Sequence, residues 1–214
     1  MSKIITAVTF TDILKDTANG WSRHREELRQ LDSITGDGDL GVTVELASKA
    51  MTDYLNNPGE EDIGKLIMKC GMQINKSSPS TFGTLLASAF MEAGKTVFGR
   101  KEIEVKDLAR VGQGAIDGVK KRGKAEVGDK TMLDALVPAI DAFQEGFTRG
   151  TDNKVVLEAV IKAAKSGAEA TVKMKAKFSR ASYRTDGAIG VQDAGATAVY
   201  YLIESLARSL LACL

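Results

Sequence analysis

Apolar residues recur three and four positions apart along most of the chain, the spacing of one face of an α-helix. Phe10, Ile13, Leu14, Thr17 and Trp21 form the first such stripe. Val44, Ala47, Met51 and Leu55 form the second, which Asn57-Pro58-Gly59 stops. Ile63, Leu66, Ile67 and Cys70 follow, then Phe82, Leu85, Leu86, Ala89 and Phe90. Val105, Leu108, Val111, Ala115 and Val119 keep the period despite internal glycines that cost about 1 kcal/mol each against alanine. Met132, Leu133, Leu136, Val137 and Ile140 make a stripe with a bend expected at Pro138. Val156, Val160, Ala163, Ala164 and Ala168, then Val199, Leu202, Ile203 and Leu206, complete the series. No stretch alternates clearly enough to predict a strand. The pattern predicts an all-α chain, an antiparallel up-and-down bundle or closed ring of about eight helices. No linker or repeat interrupts it, so residues 1–214 are expected to form one domain.

Between the stripes lie four connections rich in Gly, Ser, Asp and Lys: 32–43, 75–84, 121–131 and 178–195. They follow alternate helices. In an up-and-down arrangement alternate loops share an end, so the pattern places all four on one rim.

Composition narrows the function. The 214 residues are 43% hydrophobic and 27% charged with a net charge of +1. That balance speaks against a general nucleic-acid or membrane-surface binder. Cys70, Cys213 and the single histidine, His24, build neither a disulfide framework nor a zinc set. His24 is expected to serve surface or packing. No apolar run approaches the roughly 18 residues of a membrane span, and no leader is evident, so a reducing, cytoplasmic compartment is expected.

The segment Leu31 to Gly41 carries Asp32, Asp37 and Asp39 among glycines. Two like charges roughly 4 Å apart repel by about 4 kcal/mol at an effective dielectric of 20. A hard divalent cation resolves that repulsion, because short carboxylates are oxygen ligands for Mg²⁺ or Ca²⁺. A solvated turn with helix-capping aspartates is the alternative. Gly36-x-Gly38-x-x-Gly41 fits a dinucleotide fingerprint literally, but a helix precedes it and Asp37 and Asp39 would repel a pyrophosphate without metal. An EF-hand starting at Asp37 fails, with Gly41 at its fifth position and Ser48 at its twelfth. A near Walker A match at Gly118 to Lys124 ends in Ala125, which has no hydroxyl for Mg²⁺.

Ser77-Ser78-Pro79-Ser80-Thr81 opens a helix, with Ser78 expected as its cap and Pro79 at its first position. A helix start with several hydroxyls either binds an anion or is an ordinary cap. Lys121 to Thr131 supplies cations and flexible backbone, and either holds phosphates or is solvated surface. Lys173, Lys175, Lys177, Arg180 and Arg184 form a basic run, which the neutral total charge and few aromatics do not support as a nucleic-acid site.

Taken together, Gly36-Asp37-Gly38-Asp39, Gly71-Met72, Arg122-Gly123-Lys124-Ala125, Gly128-Asp129-Lys130-Thr131-Met132-Leu133-Asp134, Arg180-Ala181-Ser182-Tyr183 and Gln192-Asp193-Ala194-Gly195-Ala196 resemble the nucleotide-binding L subunit family of dihydroxyacetone kinases. The likeness covers nearly the whole chain, in order. It implies an antiparallel barrel of helices whose rim holds ATP or ADP through two Mg²⁺ ions. Asp32, Asp37 and Asp39 match the family's metal-binding aspartates, and Leu40, Gly41, Val42 and Thr43 its phosphate-contacting turn. Gly123, Thr131, Met132, Arg180, Asp193 and Ala194 match positions lining the nucleotide. Hydroxyls of Ser77, Ser78 and Thr81 are expected to position the phosphates, and Arg180 is the candidate for charge stabilisation during transfer. The resemblance also implies a separate K subunit that binds the small ketose and, in part of the family, a phosphocarrier protein of the phosphotransferase system. No membrane or nucleic-acid partner is implied, and a homodimer stays open.

The chain departs from the family pattern in three places. Leu40 stands where a histidine is usual, the glycine-rich nucleotide loop is shortened to Ser77–Thr81, and Ala194 replaces a proline. These forms resemble a divergent branch that includes kinases of other small ketoses. Two further readings remain from other classes: a regulatory protein that keeps fold and nucleotide without transfer, and a structural bundle with a calcium site.

Overall fold

In the computed structural model, residues 3–213 are described. Among them are nine α-helices: α1 (Ala7–Ser22), α2 (Arg25–Thr35), α3 (Leu40–Leu55), α4 (Ile63–Ser77), α5 (Thr81–Lys95), α6 (Leu108–Gly123), α7 (Leu133–Thr148), α8 (Asn153–Ala170) and α9 (Ala194–Cys213). Two three-residue strands, β1 (Ile4–Thr6) and β2 (Glu102–Glu104), pair antiparallel with Ile5 opposite Ile103.

The all-α expectation holds, with two corrections. First, α2 was not anticipated as a separate helix. Its sequence is mostly charged and polar, and only Leu28 is buried, so it lays down no apolar stripe. Second, the chain does contain strands. Each is too short for alternation to register, but Ile5 and Ile103 are both buried and fasten the start of α1 to the segment leading into α6.

Helices α1, α3, α4, α5, α6, α7, α8 and α9 each pack on the next, and α9 returns to α1, so they close a ring. α2 packs on α3 and α9. The predicted stripes face inward: Phe10, Ile13, Trp21, Val44, Met51, Leu66, Cys70, Leu86, Leu133 and Val160 are all buried in one continuous core. The ring encloses an apolar cavity of about 170 Å³, walled by residues such as Phe10, Leu86, Phe90, Leu136 and Phe143. The one side-chain hydroxyl in the lining, that of Thr17, is donated to the Ile13 carbonyl (2.7 Å), so the cavity holds too few polar partners for a water molecule.

α7 runs unbroken through Pro138. Proline has no N–H for the carbonyl four residues back, which is that of Asp134. Gly167 of α8 packs directly on that carbonyl, so close that a Cβ there would overlap its oxygen. Among the described residues, no helix is long and apolar enough to cross a membrane.

One end of the ring gathers the ends of α2, α4, α6 and α8 and the starts of α3, α5, α7 and α9. Thr43 at the start of α3 donates its hydroxyl to Ser80 Oγ before α5 (3.1 Å). Asp193 N–H before α9 donates to Thr171 Oγ1 after α8 (2.9 Å). Lys177 N–H donates to the Asp129 carbonyl between α6 and α7 (3.2 Å), and Arg184 Nη1 to the Ile34 carbonyl in α2 (3.3 Å). The four polar connections therefore do share a rim.

Candidate active site

The acidic segment is mostly helical: only Gly36 to Asp39 separate α2 from α3. Gly36 N–H donates to the Asp32 carbonyl (2.6 Å), and Gly38 turns the chain at φ +75°, a conformation glycine adopts without a Cβ penalty. This turn brings Asp32, Asp37 and Asp39 together, each with an oxygen within 4.8 Å of the others. Asp32 Oδ2 also accepts from Leu40 N–H (3.3 Å).

The charges are under strain. Burial, then the charge of Asp37, push the Asp32 carboxyl above the usual range. Burial, then Asp37 and Asp32, do the same to Asp39. Burial works upward on Asp37 too, but the ion pair with Arg180 outweighs it and holds that carboxyl low. Three carboxylates this close, short of positive charge, are a donor set that fits a hard divalent cation.

The residues matched to phosphate contacts divide into two groups. Leu40, Gly41 and Thr43 are buried, while Val42 is exposed. Leu40, in the place of the usual histidine, joins the core with its backbone N–H turned to Asp32. Gly41 lies against the Arg25 carbonyl of α2, where a Cβ would overlap, so this glycine sets the α2–α3 approach. Ser78 does not cap α5. It ends α4, is buried, and donates its hydroxyl to the Thr43 carbonyl (3.3 Å). Ser80 is the cap, its Oγ accepting from Gly83 N–H (3.0 Å). Proline two residues after Ser77 keeps the preceding Ser78 out of helical geometry, so the helix starts two residues later than the hydroxyl pattern suggested. Ser77 donates to the Ile74 carbonyl (3.2 Å), and Thr81 is exposed at the first position of α5.

Gly123 ends α6, half-buried beside Leu85. Thr131 Oγ1 accepts from Leu133 N–H (3.3 Å), and Met132 is buried at the start of α7, lining the cavity. Asp193 accepts from Ala196 N–H through Oδ2 (2.7 Å) as the cap of α9, and Ala194 is buried behind it. Burial pushes the Asp193 carboxyl up to about 6.

Asp129 and Lys130 are neither phosphate contacts nor solvated surface, the two expectations for the Lys121 to Thr131 loop, and the same holds for Asp134 just beyond it. Asp134 is buried and accepts from Gly128 N–H (2.6 Å) and Thr131 N–H (2.7 Å), shaping the turn before α7. Asp129 is buried, accepts from Glu126 N–H (2.9 Å) and pairs with Lys177. Lys130 is buried among carbonyls. A charged residue inside a Gly-rich turn reads as solvated surface; only the tertiary fold puts these three inside.

Known proteins resemble the chain over most of its length. Residues 34–208 match the family model of the DAK2 domain. The chain is 33% identical over 187 residues to the ADP-binding subunit DhaL of the PEP-dependent dihydroxyacetone kinase of Escherichia coli K12, covering 87% of this chain and 89% of that one. It is 30% identical over 209 residues to the corresponding subunit of kinase 2 of Listeria innocua, covering 97% and 96%. Among solved structures, the dihydroxyacetone kinase of C. freundii in complex with AMP-PNP and Mg²⁺ shares the fold. The TM-score is 0.73 at 24% identity, over 98% of this chain and 35% of that larger one.

Proposed function

The chain belongs to the DAK2 domain family, and on that premise we propose that it is the Mg²⁺–nucleotide-binding, phosphoryl-transferring subunit of a dihydroxyacetone-type kinase. A separate K subunit supplies the small ketose. The observation that carries this reading is the convergence of Asp32, Asp37 and Asp39 with Arg180 on the rim where α3, α5, α7 and α9 begin.

Asp32, Asp37 and Asp39 are the residues that would hold Mg²⁺. Bound magnesium supplies neutralisation of phosphate oxygens, which is most of what phosphoryl transfer asks of a protein. The chain's own groups do the rest. Helix starts at Leu40 and Thr81 present backbone N–H groups to an anion, and the Thr81 hydroxyl stands beside them. Arg180, exposed on its 3₁₀ turn (Arg180–Tyr183), is free to turn from Asp37 to the phosphates. Thr131 and Asp193, just before α7 and α9, and Gly123, at the end of α6, would receive the rest of the nucleotide.

The chain's one histidine, His24, stacks on Tyr201 at 3.7 Å between ring centres. It is not part of the rim loops, which fits a base for the sugar hydroxyl on the K subunit. The Escherichia coli and Listeria innocua relatives are named PEP-dependent, which supports a phosphocarrier protein as donor.

Calorimetric titration with ADP tests the reading. Binding in Mg²⁺ that disappears in EDTA is expected, together with transfer to dihydroxyacetone when a K subunit is added. Absence of ADP binding in Mg²⁺ would sink it.

A further inference from the structure

Lys130 is 3% exposed, and its backbone sits at φ +63°, a conformation non-glycine residues seldom adopt. Its ammonium donates to the carbonyls of Thr171 (2.8 Å), Ala188 (2.8 Å) and Val191 (2.6 Å), with that of Met174 at 3.4 Å. All four partners are neutral backbone oxygens. Asp193 and Asp186 act on the ammonium through their charge, and burial works against its charged form.

These carbonyls belong to the two ends of one segment, 171–191, which leaves α8 and returns to α9. Most bonds inside the segment are local turns, and Ala176, Ala181 and Ala188 pack together; two bonds join its outgoing and returning halves, Ala176 N–H to the Gly187 carbonyl (2.9 Å) and Gly190 N–H to the Val172 carbonyl (2.8 Å). Asp129 adds a tether through Lys177. At the far side of the same segment, Arg180 pairs with Asp37 and Arg184 donates to the Ile34 carbonyl. The strap thus crosses the rim, rooted on Lys130 and resting on the acidic turn.

A ring of backbone carbonyls around one positive charge is the coordination that proteins give to a potassium ion. The Thr171 and Ala188 carbonyls also accept from Met174 N–H (3.0 Å) and Val191 N–H (3.3 Å), but without the charge four carbonyl dipoles would converge on an unfilled centre. We propose that Lys130 is a positioning residue: its ammonium serves as a built-in monovalent cation that folds residues 171–191 into a strap and so places Arg180 over the acidic turn. The consequence for nucleotide binding rests on the function proposed above; the folding of the strap does not.

Two variants separate charge from packing. Lys130→Ala leaves room for an ion, and Lys130→Met fills the space without charge. Amide hydrogen exchange of the nucleotide-free chain is read over 171–191, and ADP affinity in Mg²⁺, each in chloride salts of choline, potassium or ammonium at equal ionic strength. In choline, both variants should exchange over 171–191 at least about tenfold faster than wild type and bind ADP about tenfold more weakly, with unchanged far-UV circular dichroism. Potassium or ammonium should restore Lys130→Ala and leave Lys130→Met impaired. Wild-type exchange in either variant in choline, or a Lys130→Ala defect that neither cation reverses, overturns the proposal. If Lys130→Ala does not fold in choline, folding that appears in potassium supports it, and failure in every salt overturns it. Should wild type not bind ADP, the proposed function fails, while the exchange arm still decides the role of Lys130.

Discussion

Arg180 forms an ion pair with Asp37, reaching it from the opposite loop, the one that joins α8 to α9. Asp37 is the one aspartate of the three whose carboxyl is held low, and Asp32 and Asp39, which lack this partner, are pushed up. In the nucleotide-free chain, Arg180 therefore does for Asp37 what a metal ion would do for all three. Asp37→Asn removes both a proposed magnesium ligand and the partner of Arg180 on the strap. Mg²⁺-dependent ADP affinity should fall at least about 100-fold by calorimetry, since losing even an outer partner of a metal ligand costs 10–100-fold. The far-UV spectrum should not change, because Asp37 is exposed and caps no helix. Undiminished affinity would remove the acidic turn from the site.

Arg180 itself should divide binding from transfer. If it neutralises charge that develops on the moving phosphate, Arg180→Ala lowers the rate of transfer with a K subunit by about 10²–10³, the usual loss for a charge-stabilising group. ADP affinity should change far less, because the carboxylates remain. Arg180→Lys keeps the charge without the planar fork and should recover only part of the rate. Equal losses in affinity and rate would make Arg180 a binding residue alone.

Asp193 makes stability depend on pH. Its carboxyl lies at about 6, raised by burial, against about 3.9 in an unfolded chain. The folded state therefore holds the proton more tightly. Its contribution favours folding below the unfolded value and is lost as pH rises through about 6, up to about 3 kcal/mol across the window. Asp193→Asn keeps an acceptor for the Ala196 N–H but cannot ionise. In urea unfolding of the nucleotide-free protein in EDTA, the variant should gain on wild type between pH 4.5 and 7.5. Parallel pH dependences would mean that Asp193 is not shifted.

The apolar stripes were enough to read eight of the nine helices among the described residues, because a ring buries one face of each member. α2 escaped, since it contributes only Leu28 to the buried core. The rim followed from the alternation of loops, and the acidic cluster from its spacing. What the pattern could not reveal is which polar groups the fold consumes. Ser78 and Ser80 carry the same hydroxyl two residues apart, yet one is buried against Thr43 and the other caps α5. Lys130 has the sequence context of a solvated turn and the surroundings of a core residue. The burial of Ser78 and Lys130 depends on contacts 35 and more positions away, with Thr43 for the one and with Thr171, Ala188 and Val191 for the other.

Gly167 tests how closely α7 and α8 approach. In an ordinary exposed helix interior, Gly→Ala stabilises by about 1 kcal/mol, because glycine has more backbone freedom to lose. Here the new methyl would overlap the Asp134 carbonyl oxygen and stand 3.2 Å from the Ala135 Cα, and neither is the flexible end of a side chain. The carbonyl is fixed in turn, because Asp134 is buried and its side chain holds the turn before α7 through Gly128 and Thr131. The helices must separate, and overpacking of this kind costs about 1–3 kcal/mol. Gly167→Ala should therefore lower the urea midpoint with an unchanged slope, reversing the sign that helix propensity alone predicts. A variant as stable as wild type, or more so, would show that α8 does not lie against the carbonyl that Pro138 leaves without a helical partner.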